Sequence, residues 1–219
     1  MSSNTIAPER PLTHDQSRTL FGQTMGLVAA TAAAFGLGAY VARDVSPGWS
    51  LLFYVAAFAA LISLSVVTHR GLQQLAVWLL FAFGFLIGAS VASTIAYYAS
   101  ADPQALWEAG AATALFVAGF GALGYGTRRD LSRLSRTLTW ALLALIVFGL
   151  ITVFVQIPNG SLIYAVLGLL IFAGLTSYDF QRLRRAQDVR SAPLLAASIF
   201  LDVLNVFLLF LSIGSGDKD

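Results

Sequence analysis

Long apolar blocks alternate with short polar connections along the chain, and seven blocks stand out, at 20–41, 49–68, 74–98, 107–126, 137–156, 161–181 and 192–213. Each is close to the roughly 20 residues that an α-helix needs to cross the hydrocarbon of a bilayer. The connections carry the residues that stop helices: Pro47-Gly48, Gly71, Asp102-Pro103 and Pro158-Asn159-Gly160. A closed β-barrel also satisfies every backbone group in lipid, but its strands alternate apolar and polar positions over segments of about 10 residues. These blocks are continuously apolar. The pattern predicts an all-α polytopic membrane protein of seven transmembrane helices, with an N-terminal tail at 1–19, a membrane domain at 20–213 and a C-terminal tail at 214–219.

Composition strengthens this picture. The chain is 58% hydrophobic and only 11% charged, where a soluble domain is about 25% charged. Lipid must cover most of that apolar surface. Charge then adds an orientation. With the N-terminus inside, the inner side holds Arg10, Arg18, Arg70, Arg128, Arg129, Arg133, Arg136, Arg182, Arg184, Arg185 and Arg190, and the outer side holds Arg43 and Lys218. Eleven of the thirteen cations on one side is the bias expected of a cytoplasmic face. It places the N-terminus in the cytoplasm and, after an odd number of spans, the C-terminus outside. The clusters read as topology signals, so no nucleic-acid partner is expected. No apolar stretch precedes a cleavage site near the start, so the first span is expected to act as its own insertion signal. Gly22-x-x-x-Gly26, Gly84-x-x-x-Gly88 and the cluster Gly119, Gly121, Gly124, Gly126 suggest close helix packing.

Asp202 breaks the apolar pattern most sharply, in the middle of the last span within Ile199-Phe200-Leu201-Asp202-Val203-Leu204-Asn205. A carboxylate at the bilayer centre costs about 2.5–3.5 kcal/mol on insertion scales, and such residues mark function by default. Asn205, three residues on, shares its helical face. A second acid, Asp179, follows Tyr178 near the inner end of the sixth span. The short connection makes these two helices antiparallel neighbours, so both acids enter the bundle from one leaflet. Two close carboxylates cannot both ionise cheaply and would share a proton. They would also offer hard oxygen ligands to Ca²⁺. At about 1.5 Å per residue, Asp202 lies roughly 16 Å deep, a depth Asp179 approaches only if the sixth helix continues beyond Arg182. Arg70 at the inner end of the second span is a candidate counter-cation, or else a snorkelling anchor. Asp102 and Glu108 would make the outer rim acidic near the fourth span.

Missing residues exclude several chemistries. Cysteine is absent, which removes disulfides and thiolate sites. The only lysine, Lys218, lies beyond the last span, so no retinal Schiff base can form within it. His14 and His69 lie outside the span interiors, and neither is set with an acid in a metalloprotease pattern. Intramembrane aspartyl proteases also pair a Tyr-Asp with an acid on the next span, but theirs sits in a Gly-x-Gly-Asp context, where this chain reads Ile199-Phe200-Leu201-Asp202. No enzymatic activity and no cofactor are expected.

Tyr178-Asp179, then a basic loop, then Leu201-Asp202 with Asn205, resembles the Bax inhibitor-1 (transmembrane Bax inhibitor motif) family, especially its bacterial members. Arg129-Asp130-Leu131-Ser132 matches the loop where relatives carry a basic residue before Asp-Leu-Ser, and Glu108 opening a Gly- and Ala-rich span also fits. The resemblance implies six helices wrapped around a central last helix, in an inner (plasma) membrane. It matches Asp179 and Asp202 to a di-aspartyl pH sensor and Arg70 to an arginine that pairs with the first acid. It further implies a pH-dependent Ca²⁺ leak, with Ca²⁺ as permeant or bound ion. The alternative expectation is a non-transporting regulator that binds a membrane quality-control protease or another membrane complex.

Overall fold

The computed structural model describes residues 14–155 and 157–216. Its helices are α1 (His14–Val41), α2 (Ser50–His69), α3 (Gln73–Ser90), α4 (Ala92–Ala101), α5 (Pro103–Gly126), α6 (Ser132–Phe154), α7 (Gly160–Arg185) and α8 (Ala192–Gly216), with 3₁₀ turns at Pro47–Trp49 and Val189–Ser191. Seven of them are long and apolar enough to cross a membrane. The expected tails at 1–19 and 214–219 lie mostly outside the described residues. Where they are described, α1 already begins at His14 with Asp15 in its first turn, and α8 runs to Gly216.

The helix stops work as their chemistry dictates. Gly71 turns the chain between α2 and α3 at φ 76°, and Asn159 does so before α7 at φ 56°, a left-handed conformation that these residue types tolerate best. Asp102 caps α5 by accepting a hydrogen bond from the Ala105 amide at 3.3 Å, with Pro103 in the first turn. The fourth span therefore starts before its apolar block does. The third expected span, 74–98, is not one helix. It breaks at Val91 (φ −105°, ψ 10°), whose amide bonds the Gly88 carbonyl three residues back. The Ser90 hydroxyl also takes the Ile87 carbonyl at 2.8 Å, the kind of local competition that bends helices.

The last span is the centre of the bundle. α8 packs against α7, α5 and α1, and more lightly against α2 and α3. Of its most apolar stretch, 56% is buried inside the protein, against 6% for α6, which rests on α7 at the periphery. Phe200 on α8 meets Phe83 on α3 and Phe35 on α1 edge-on, with ring centres 6.0 and 6.1 Å away. Glycine makes the α1–α3 crossing close. A Cβ on Gly84 would lie 2.7 Å from the Thr31 carbonyl oxygen, and one on Gly38 or Gly88 would overlap the backbone of Phe85 or Phe35. Gly121 and Gly124 serve α5 against α7 in the same way, facing the Phe180 ring and the Ser177 backbone. Gly22, Gly26, Gly119 and Gly126 have no such neighbour, so only part of the glycine pattern is packing.

The basic connections are tied together on one face. Gln73 at the start of α3 donates to the Arg190 carbonyl between α7 and α8 at 3.0 Å, and the loop between α5 and α6 is bonded to the end of α7.

Candidate functional site

α7 and α8 run antiparallel, joined by a connection in which Asp188 accepts from the Arg190 amide at 2.8 Å. Because α7 continues to Arg185, Asp179 lies six residues inside its end, and Ser198 lies six residues inside the start of α8. Both are therefore about 9 Å in. The Ser198 hydroxyl donates to the Asp179 carboxylate. Thr176 and Asp202 stand one turn deeper, and the Thr176 hydroxyl bears on the Asp202 carboxyl. The site is a two-rung ladder. Each rung sets an acid on one helix beside a hydroxyl on the other, only the Ser198–Asp179 rung being a hydrogen bond of good geometry, and the acids are staggered by a turn.

All of this is dry. Asp179 and Asp202 are 7% and 5% exposed, and Thr176 is completely buried. The two carboxyls are close enough to act on one another electrostatically. Asp202 Oδ2 and Thr176 Oγ1 each lack a hydrogen-bond partner of good geometry. An unsatisfied polar atom at such depth costs roughly 1–3 kcal/mol.

The cation that faces Asp179 is Arg182, one turn towards the basic face. Arg70 is exposed, at the C-terminal cap of α2. Among the described residues the ion pairs are Arg43–Asp44 and Arg185–Asp130, so Arg70 contacts neither acid. Asn205 gives its amide to the Leu201 carbonyl of its own helix at 2.7 Å. Tyr178 is half-buried. At the other face, Asp102 is the α5 cap, and exposed Glu108 accepts from Gln104 at 2.7 Å. Among the described residues no cluster of three or more acids or histidines is placed to hold a metal ion.

Three side chains were not foreseen. Ser198 and Thr176 are the rung partners, and the sequence held a signal for both. Ser198 is four residues before Asp202 and Thr176 three before Asp179, which puts each on an acid's helical face. The third is Gln181, only 1% exposed. Its Nε2 donates to the Arg129 carbonyl at 2.6 Å and its Oε1 accepts from the Leu131 amide at 3.0 Å. Arg184 donates to the Thr127 carbonyl, and Arg185 to Asp130 at 3.0 Å. The Arg129-Asp130-Leu131-Ser132 segment is thus strapped to α7 just beyond Asp179.

A family model described as "Inhibitor of apoptosis-promoting Bax1" matches residues 17–218. A protein of Deinococcus radiodurans is 30% identical over 229 residues, covering 98% of this chain and 97% of that one. "Inner membrane protein YbhL" of Escherichia coli is 30% identical over 175 residues, covering 73% of this chain and 71% of the relative. "Golgi anti-apoptotic protein" of vaccinia virus is 27% identical over 183 residues, covering 83% of this chain and 76% of the relative.

Proposed function

The chain belongs to the family of inhibitors of apoptosis-promoting Bax1, and from that premise we propose that it is a cation leak protein, with Ca²⁺ as the ion, gated by the Asp179–Asp202 pair. The observation that carries this is the ladder itself: two buried carboxyls act on each other across the interface of the central helix with its neighbour. At most one negative charge is cheap there. A proton gained or lost changes what holds α7 to α8 and shifts the balance between a closed and an open arrangement. Two carboxyls and two hydroxyls form an all-oxygen set of the kind Ca²⁺ accepts, but fall short of its usual 6–8 ligands. Such a set suits a passing ion better than a resident one. The matched relative named an inner membrane protein supports placing the chain in a plasma membrane, with the basic face in the cytoplasm.

The test is Ca²⁺ uptake into liposomes holding the purified protein, from about pH 5 to 8, for wild type, Asp202→Asn and Asp179→Asn. A pH-dependent flux with a profile altered by either substitution is the expected result. Identical profiles in all three proteins would overturn the gate.

A second reading is a non-transporting regulator that binds a membrane quality-control protease or other membrane complex through the basic connections; the vaccinia relative's name, "Golgi anti-apoptotic protein", refers to no transport. It predicts no flux above empty liposomes at any pH, together with recovery of a stoichiometric membrane partner by crosslinking.

A further inference from the structure

Among the described residues, a cavity of about 1000 Å³ opens on a side that neither acid lines. It is a trough between α1 and α5, open along one side and floored by α8. Its lining runs from Arg18 to Phe35 on α1 and from Gly110 to Gly126 on α5. At 1.5 Å per residue that is about 25 Å of helix, more than the half-thickness of a hydrocarbon core of about 30 Å. The walls are apolar and stepped back by small residues. Gly22, Gly110 and Gly126 have nothing within 4 Å of where a Cβ would be, so these glycines leave space that no helix fills.

Polarity is confined almost to one end. Thr113, the polar side chain deep in the trough, gives its hydroxyl to the Ala109 carbonyl at 2.7 Å. At the basic end stands Arg18, exposed and outside the ion pairs of the described residues. Just below it, Phe21 and Tyr125 meet edge-on with ring centres 5.3 Å apart, bridging α1 to α5. A cation at the mouth of a long apolar trough, close in sequence to an aromatic pair, complements an amphiphile with an anionic head and a flexible tail. A packed helix would match the apolar walls but leave the guanidinium unanswered.

We propose that this trough binds an anionic phospholipid of the leaflet on the basic side, its phosphate at Arg18 and one acyl chain along α8. The chain lies against Phe180, the neighbour of Asp179, and Val203, the neighbour of Asp202. Binding itself is independent of ion flux.

The experiment uses the full-length protein in liposomes with either phosphatidylglycerol or phosphatidylcholine carrying a diazirine on one acyl chain, and maps labelled peptides by mass spectrometry. Labelling is expected to concentrate on the trough faces of α5 and α8. Phosphatidylglycerol should label about fivefold more than phosphatidylcholine, the ratio given by about 1 kcal/mol for a cation beside an anionic lipid. Arg18→Gln should erase that preference while keeping the labelling. Ala118→Trp should fill the trough and lower labelling by both lipids several-fold, with an unchanged melting temperature to show that it folds. Label spread evenly over the lipid-facing sides of α2 and α6, or a preference that survives Arg18→Gln, would overturn the proposal. So would disulfide-linked dimers formed through Ala118→Cys in this cysteine-free chain, because they would make a second copy the occupant.

Discussion

Gln181 is two residues from Asp179 and committed to a different task, holding the loop between α5 and α6 by two hydrogen bonds. Replacing it with leucine keeps the apolar volume but strands the Arg129 carbonyl and the Leu131 amide. A loss of about 2 kcal/mol is expected, at the usual cost of orphaned backbone groups, read as thermal unfolding in detergent. Gln181→Glu keeps the acceptor alone and should recover part of the loss. Asp130 in the same loop behaves differently with pH. Hydrogen bonds from Ser132, with Arg185 beside it, hold its carboxyl below the usual carboxylate range. A depressed value means that its contribution is complete above the unfolded-state value and is lost only as pH falls through the lower, folded one. Exchange at the Ser132 amide should therefore stay slow from about pH 8 to 5 and rise, relative to its intrinsic rate, only below about pH 4. Asp130→Asn should accordingly leave the shape of any flux profile between about pH 5 and 8 unchanged. The two acids were legible because a carboxylate in an apolar run has no ordinary explanation. Their hydroxyl partners were not, since serine and threonine occur in spans for many reasons and only the register of α7 against α8 selects Ser198 and Thr176. The absence of an Arg70 contact was equally hidden, because sequence places a residue on a span end without saying which neighbour the end approaches.

At the scale of elements, glycines that look alike in the sequence divide into two kinds. Gly88 lets the α1 backbone approach, so Gly88→Ala should cost about 1–3 kcal/mol through overpacking. Gly26 faces no neighbour, so Gly26→Ala should be neutral or stabilise by up to about 1 kcal/mol through helix propensity alone. Unfolding of both variants in the same detergent would show the contrast. Equal effects would mean that the α1–α3 crossing is looser than its geometry. Element boundaries were readable where a breaker needs a special backbone, at Gly71, Asn159 and Asp102-Pro103. The break at Val91 carries no such residue. It coincides with a serine bonding back into its own helix, a pattern that unbroken helices of this chain also carry, at Thr31 and Thr113, so sequence cannot separate it from a straight helix.

For the whole molecule, the number of spans was fixed by length and apolarity, and the centrality of α8 came from resemblance, which burial then bears out. Orientation rests on the distribution of arginines and has a direct test. The chain has no cysteine, so Gly48→Cys and Gln187→Cys each give a single thiol, on exposed positions at opposite faces. A membrane-impermeant maleimide should label the first in intact spheroplasts and the second only after permeabilisation. The reverse pattern would put the basic face outside.

The central position of α8 also sets a timetable for biosynthesis. A ribosome delivers the spans in order, so the helices that pack around the centre enter the bilayer before α8 exists, with α6 outside them against α7. Until that last segment is released, the faces that will hold Phe83, Phe35 and the inner side of α7 have only lipid or one another to rest on, and Asp179 has no Ser198. The native bundle cannot close until α8 arrives. A nascent chain stalled or cut before residue 192 would present inserted spans that lack their centre, the kind of state that membrane chaperones and degradation machinery would recognise.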